Sequence, residues 1–432
     1  MLVNEPRSRI VVALLTAAVA PLAAVGCAEG GTATARWTGS VRDSAGITIV
    51  ENHDTPVWRE GEGWRFTRVL KIGVAEGDPE YMFGSVTGLV VLSDGRVVIG
   101  DGQNHNVRFF SPDGTYLATV GKAGTGPGEF SGDINLLLGP GDTILAIDGR
   151  TQRANVISPD AQWLSSFSVL PSNGFWTSGW DDDATTREIV SLQTPIPGEG
   201  APPDARFSFL VLRNLQGALL DTLARLPASQ LFTGEEDARL IHLYLGGPFF
   251  DLCDGMVVTG HSDTYRLTWR RRDGTVVRIA SLDREPLAMT DEDQRVLFDR
   301  IDVVAQQNKA PQAAVAESKS RVRFEPTYPA FRRFVCGPDG SILVQRIQPL
   351  REMSPEQVEN MFLGTTAPGA DEWDVFDREG RYLGVAPLPT PPHQHAFTRD
   401  RSGAWLMVGI ERDELDVSYA GVWRVEGLAM RR

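Results

Sequence analysis

Five of the six histidines stand in segments that read as loops: His105, His242, His261, His393 and His395. Three or four imidazoles converging on one point would hold zinc or copper and support metal-assisted hydrolysis or elimination. Such a centre would draw on His105, His242, His261 and His395. Their spacing matches no metal-ligand motif, and His393-x-His395 follows Pro391-Pro392 in an unconstrained loop, so polar loop residues are the preferred reading. Asp101, Asp148 and the run Asp181 to Asp183 are oxygen donors of the kind calcium takes. Asp101 and Asp148 recur at the same place in two similar segments, with Arg108 and Arg153 downstream to pair with them. That recurrence favours a turn-capping role over ligation. As a ligand-binding set, the candidates are Asp101, His105, Asp148, Arg153, His261 and His395. No Gly-x-Ser-x-Gly elbow is present, and neither Cys253 nor Cys336 has a histidine near it in sequence. A binding role without cofactor is therefore expected ahead of a zinc- or calcium-dependent hydrolase or lyase.

The elements that must position these residues repeat. Gly88–Gly95, Val97–Asp101, Asn106–Gly114 and Tyr116–Val120 are echoed by Asn135–Asp142, Ile144–Asp148, Ala154–Asp160 and Trp163–Phe167. Each copy is four short apolar strands joined by hairpin turns, offset by roughly 45 residues, the period of a β-propeller blade. The pattern continues more weakly. Blade three takes Glu188–Leu192, Phe207–Leu212 and Ala218–Leu226. Blade four takes Phe249–Cys253, Met256–Thr259, Tyr265–Trp269 and Val276–Leu282, with an Asp273-Gly274 turn. Blade five takes Phe331–Val335, Ser341–Gln345, Trp373–Gly380 and Tyr382–Ala386. The last blade has three strands at Ala396–Thr398, Ala404–Val408 and Gly421–Glu426. Its fourth strand must come from the other end of the chain, either Gly46–Glu51 or Phe66–Leu70, which closes the ring and removes its free edges. The fold expected is an all-β, six-bladed propeller over residues 46–432.

Two helical insertions decorate it. One spans 290–318, capped by Thr290 and kinked or ended by Pro311. The other spans 354–363, opened by Ser354-Pro-Glu-Gln357 as a capping box and ended by Gly364. Val296, Leu297, Ile301 and Val304 form one stripe of the first, better explained by burial against the propeller than by a docking partner. Because blade strands alternate in direction, the second-to-third loops share a face with the inter-blade connections. That face collects Asp101–Asn106, Asp148–Arg153, His261–Thr264, His242, Trp176–Asp183 and His393–His395. Cys253 and Cys336 end equivalent segments of two successive blades. A disulfide is open to them, and two buried free thiols are the preferred reading.

The run Gly121-Lys-Ala-Gly-Thr-Gly-Pro-Gly-Glu-Phe130, between two strands ending in aspartate, looks like an NHL-type repeat. It lacks the Lys-Ser/Thr ending of a phosphate loop. The chain resembles the six-bladed propeller lipoproteins of environmental bacteria, with the likeness strongest over residues 84–170. The resemblance implies fold and anchoring more than activity. Other six-bladed propellers are calcium-dependent lactonases or zinc-dependent amidating lyases, but neither catalytic set can be mapped onto this sequence.

Residues 1–26 read as an export signal, with Arg7 and Arg9, an apolar stretch from Ile10 to Ala20, and Ala24-Val-Gly-Cys27. The cysteine at that place resembles a lipobox and predicts lipid attachment at Cys27. Residues 27–45 then form a small, polar tether. The expected location is the cell envelope, periplasmic or on the outer membrane, with the lipid as the only membrane contact. The net charge of −14, with no basic stripe, argues against nucleic acid. The expected partner of this monomer is a protein or a small extracellular ligand on the loop face.

Overall fold

The computed structural model describes residues 37–59, 61–168, 188–193, 207–214, 218–229, 240–361, 363–392 and 396–427. Cys27, Trp176–Asp183, His393 and His395 lie outside them. The six blades are present. Blade one is Val86–Val91, Val97–Asp101, Asn106–Phe110 and Tyr116–Val120, all antiparallel. Blade two repeats it with Ile134–Leu138, Ile144–Asp148, Arg153–Ile157 and Trp163–Ser168. Blade three has three described strands, Glu188–Gln193, Phe207–Asn214 and Leu219–Pro227. Blade four runs Pro248–Cys253, Met256–His261, Arg266–Arg270 and Val276–Asp283. Blade five runs Arg333–Cys336, Ile342–Ile347, Gly369–Phe376 and Tyr382–Pro387.

Blade six resolves the choice of closing strand. Its own three strands are Phe397–Arg399, Trp405–Arg412 and Ser418–Glu426, and its outermost strand is Arg65–Ile72, antiparallel to Ser418–Glu426. The other candidate segment pairs elsewhere. Ile47–His53 runs parallel to Val276–Asp283 on the rim of blade four, and Ser40–Ser44 folds back on it. Two exposed strand edges are thus consumed by one N-terminal segment.

The core lies between blades, where inward side chains of one sheet meet the next. Val90, Phe109, Ile134 and Ile144 pack blade one on blade two. Tyr265, Trp269, Phe331, Phe376 and Tyr382 join blades four and five. The inner strands of those two blades are also joined covalently, since Cys253 and Cys336 form a disulfide with Cα atoms 5.3 Å apart. This corrects the free-thiol reading: the inner strands approach closely enough at their ends for a bridge.

The first insertion is two helices rather than one bent segment. Helix α1 spans Asp291–Gln307 and helix α2 spans Gln312–Arg321, with Pro311 at the N-cap of the second. Thr290 and Asp293 form a capping box on α1. Asp293 is fully buried and also accepts from the Arg351 backbone and guanidinium, at 2.9 and 2.6 Å. Leu297 is buried with Tyr244, Tyr328 and Leu350, which accounts for the apolar stripe by packing. Helix α3, Pro355–Asn360, has the expected box of Ser354 and Gln357 but ends before Gly364, with Met361 already extended. Ile241–Leu243 and Val322–Phe324 form a small parallel pair beside these helices. No described helix is long and apolar enough to cross a membrane.

Candidate functional site

Asp101 and Asp148 hold loops of the predicted face. Asp101 is fully buried and accepts from Gly84 N, Ser85 N, Asn104 N and Asn104 Nδ2 at 2.8–3.1 Å, with Arg108 Nη2 at 3.7 Å. Asp148 accepts from Ser131 N and Oγ, Arg150 N and Thr151 N at 2.6–3.1 Å. Burial would raise the Asp148 carboxyl, but those backbone donors hold it below the usual carboxylate range. In both blades the carboxylate ties the second-to-third loop to the preceding inter-blade connection, and its oxygens are already engaged. The glycine-rich run is a similar device. Glu129 closes it by accepting from Gly126 N, and Gly124 sits at φ 155° where a Cβ would strike the Glu129 side chain. Arg153 makes no ion pair with Asp148 among the described residues, and its Nε is buried without a partner.

The described histidines stay apart. His105 adopts a left-handed conformation, φ 55°, and its Nδ1 is buried without a partner. His242 lies in the parallel pair beside the helices, with Nδ1 3.9 Å from Glu325. His261 ends the second strand of blade four, its Nδ1 3.2 Å from Asp263. Among the described residues no three His, Cys, Asp or Glu side chains are placed to hold a metal ion.

Burial lowers the His261 pKa and the exposed Asp263 opposes the shift only in part. The neutral imidazole is therefore the form the fold prefers. Its contribution is fully present above the unfolded value of about 6.5 and is lost as pH falls through the folded pKa. The guanidinium midpoint should accordingly drop between pH 7.5 and 5.5, and His261→Gln should shrink that drop. An unchanged pH profile in the variant would show that His261 titrates as it does in the unfolded chain.

Two cavities lie along the axis of the ring. A cavity of about 260 Å³ is enclosed by inner-strand residues of several blades, including Leu89, Leu136, Leu192 and Phe249. A second, of about 590 Å³, opens at the loop face between Thr87, Gly149, Thr390 and Arg412. Asn135 and Arg333 border both. The Arg333 guanidinium lies over the buried Trp373 ring at 5.6 Å, and its Nε donates to Gln345 Oε1 at 3.2 Å. Gln345 is itself fixed by donating to Ala370 O at 2.9 Å, in space left by Gly369, where a Cβ would lie 2.4 Å from the amide. Sequence reading passed over Arg333 as part of an apolar inner strand. An arginine beside Phe331, Phe334 and Val335 was the available signal, since a charge in such a strand needs a reason to be there.

A second feature was equally hidden. Asp374 is fully buried and accepts from Tyr265 Oη (2.7 Å), Tyr382 Oη (3.0 Å), Arg284 (2.6 and 3.0 Å) and Arg346 (3.0 and 2.9 Å). Arg284 reaches outward to Asp54 at 2.7–2.8 Å, and Arg346 to Glu372 at 3.0 Å. Burial would raise the Asp374 carboxyl, but the two guanidiniums hold it low, while burial and that carboxylate push the Tyr265 phenol well up. This network floors a cleft of about 500 Å³ bordered by Leu287, Tyr328 and Ile347. Its charges satisfy one another, so it reads as scaffold.

No protein-family model matches the sequence, and no curated protein matches it. Solved structures match along most of its length. A Bacteroides fragilis protein provisionally described as exported shares 12% identity over 88% of this chain and 99% of its own, with a TM-score of 0.48. A member of the DUF4221 family from Bacteroides vulgatus shares 10% identity over 84% of this chain and 98% of its own, with a TM-score of 0.48. Virginiamycin B lyase from Staphylococcus aureus shares 9% identity over 84% and 99%, with a TM-score of 0.39. Likeness at this level assigns no residue a role.

Proposed function

We propose that this chain is an exported, lipid-anchored, monomeric propeller that binds a small ligand at the loop-face mouth of its central channel. The observation that carries the reading is the pair of axial cavities, both bordered by Asn135 and Arg333, of which the larger opens beside Asp133, Gly149 and Thr390. A rigid ring with a concave mouth and a few placed polar groups suits recognition of a small molecule. The sequence of residues 1–27 supports export and attachment through Cys27.

Native mass spectrometry of the chain isolated from its own envelope tests the binding. A bound small molecule is expected, and Asn135→Trp, which fills the junction of the two cavities, should release it. A chain that carries nothing, and whose melting temperature no member of a broad metabolite library raises, would end this reading. Labelled palmitate should enter the wild type and not Cys27→Ser.

A further inference from the structure

Arg333 is held in a way that leaves its binding end unused. Its Nε is bonded to Gln345 and its face rests on Trp373, which fixes the plane of the guanidinium. The two terminal nitrogens have no carboxylate or carbonyl partner among the described residues, and they belong to a side chain that borders both axial cavities. Burial, with the neighbouring Arg332 guanidinium, pulls the Arg333 pKa down to about 10, against a partial pull upward from Asp251. A half-buried cation so poorly compensated is a group for which a bound anion supplies what the protein does not. Asn135 borders the same two cavities, with no side-chain bond of its own among the described residues, and can add a neutral donor. The charged side chains at the mouth are Arg333, Arg412 and Asp133, with Arg412 already bonded to Asp416 at 2.7 Å. Of the two cations, Arg333 is the one left to meet a ligand.

We infer that the channel ligand carries a carboxylate or phosphate group and that the terminal nitrogens of Arg333 bind it as a fork. The inference rests on the channel reading above and narrows it to a ligand class. Planar two-point recognition is what arginine does for such oxyanions and a lysine point charge does not.

Calorimetric titration of the full chain with inorganic phosphate and, separately, with acetate at constant ionic strength tests it, and the two arms distinguish the oxyanions. Saturable binding of at least one is expected. Arg333→Gln should weaken it about tenfold or more, and Arg333→Lys should retain part of the affinity. Should Arg333→Gln fail to fold, the rise in melting temperature with the same anion is read on Arg333→Lys, which must be smaller than in the wild type. Failure of both anions to bind, or binding indifferent to Arg333, overturns the inference. A neutral ligand lost from Asn135→Trp but kept by Arg333→Gln would overturn the anion assignment and leave the channel reading standing. A ligand indifferent to both substitutions would end both.

Discussion

Replacing Asp374 by asparagine should cost about 3–5 kcal/mol of stability, the range for breaking a buried ion pair from one side. The side chain has the same shape, so the loss comes from charge. Six bonds converge on this one carboxylate, from two tyrosines and two arginines that belong to blades four and five and their flanking loop. Without it, Arg284 and Arg346 face each other across a position that is itself fully buried. The contrast is Asp54→Asn, which removes only the exposed outer partner of Arg284 and should cost no more than about 1 kcal/mol. Equilibrium unfolding in guanidinium chloride measures both. An Asp374→Asn midpoint equal to that of wild type would mean that the network holds nothing together. Because the folded pKa of Asp374 lies below its ordinary value, its contribution is full above about pH 4 and is lost only as the pH falls through that lowered value.

The second large effect lies at the other side of the same blade pair. Cys253→Ala with Cys336→Ala should destabilise the chain by about 2–5 kcal/mol. Chain entropy for a closed loop of 83 residues gives about 4.5 kcal/mol. Treatment of the wild type with reductant should shift its unfolding midpoint as far as the double substitution does. A thiol count on the denatured, unreduced chain should find neither Cys253 nor Cys336. Finding both would mean that no covalent link joins the inner strands of blades four and five. The buttress at Asp374 and the bridge at Cys253 make this the most cross-linked junction among the described blades.

Blade boundaries were legible because the repeat is local: a four-strand unit and its Asp-Gly turns are written within some 35 residues, as at Val86–Val120. The loop-tying role of Asp101 and Asp148 could be read for the same reason, from their matching places in two successive units. What escaped was whatever depends on neighbours distant in sequence. Asp54, Tyr265, Arg284, Arg346 and Asp374 meet only once blades four and five and the N-terminal rim strand are assembled, and nothing around any one of them announces the others. The closing strand could be narrowed to two candidates, since either could finish a three-stranded blade. Only the parallel pairing of Ile47–His53 along blade four removes it from contention. Arg333 was hidden by its company. Alternation in an inner strand says which way a side chain leaves the backbone, but not that a channel lies there. The cysteine pair shows the same gap, because equivalent positions in adjacent blades do not give the distance between them.

Closure by Arg65–Ile72 also sets the order in which the molecule can become whole. Its partner strand, with Ile72 opposite Ala420, lies roughly 350 residues downstream, so this contact is among the least local in the fold. A chain that emerges from its N-terminus presents Arg65–Ile72 well before the strand it must pair with. Five blades can condense before the ring shuts, and during that interval an unpaired strand and an open edge coexist. A chaperone or a second chain that captured either would trap an open crescent, and losing the last ten residues of the described chain would leave every copy in that state.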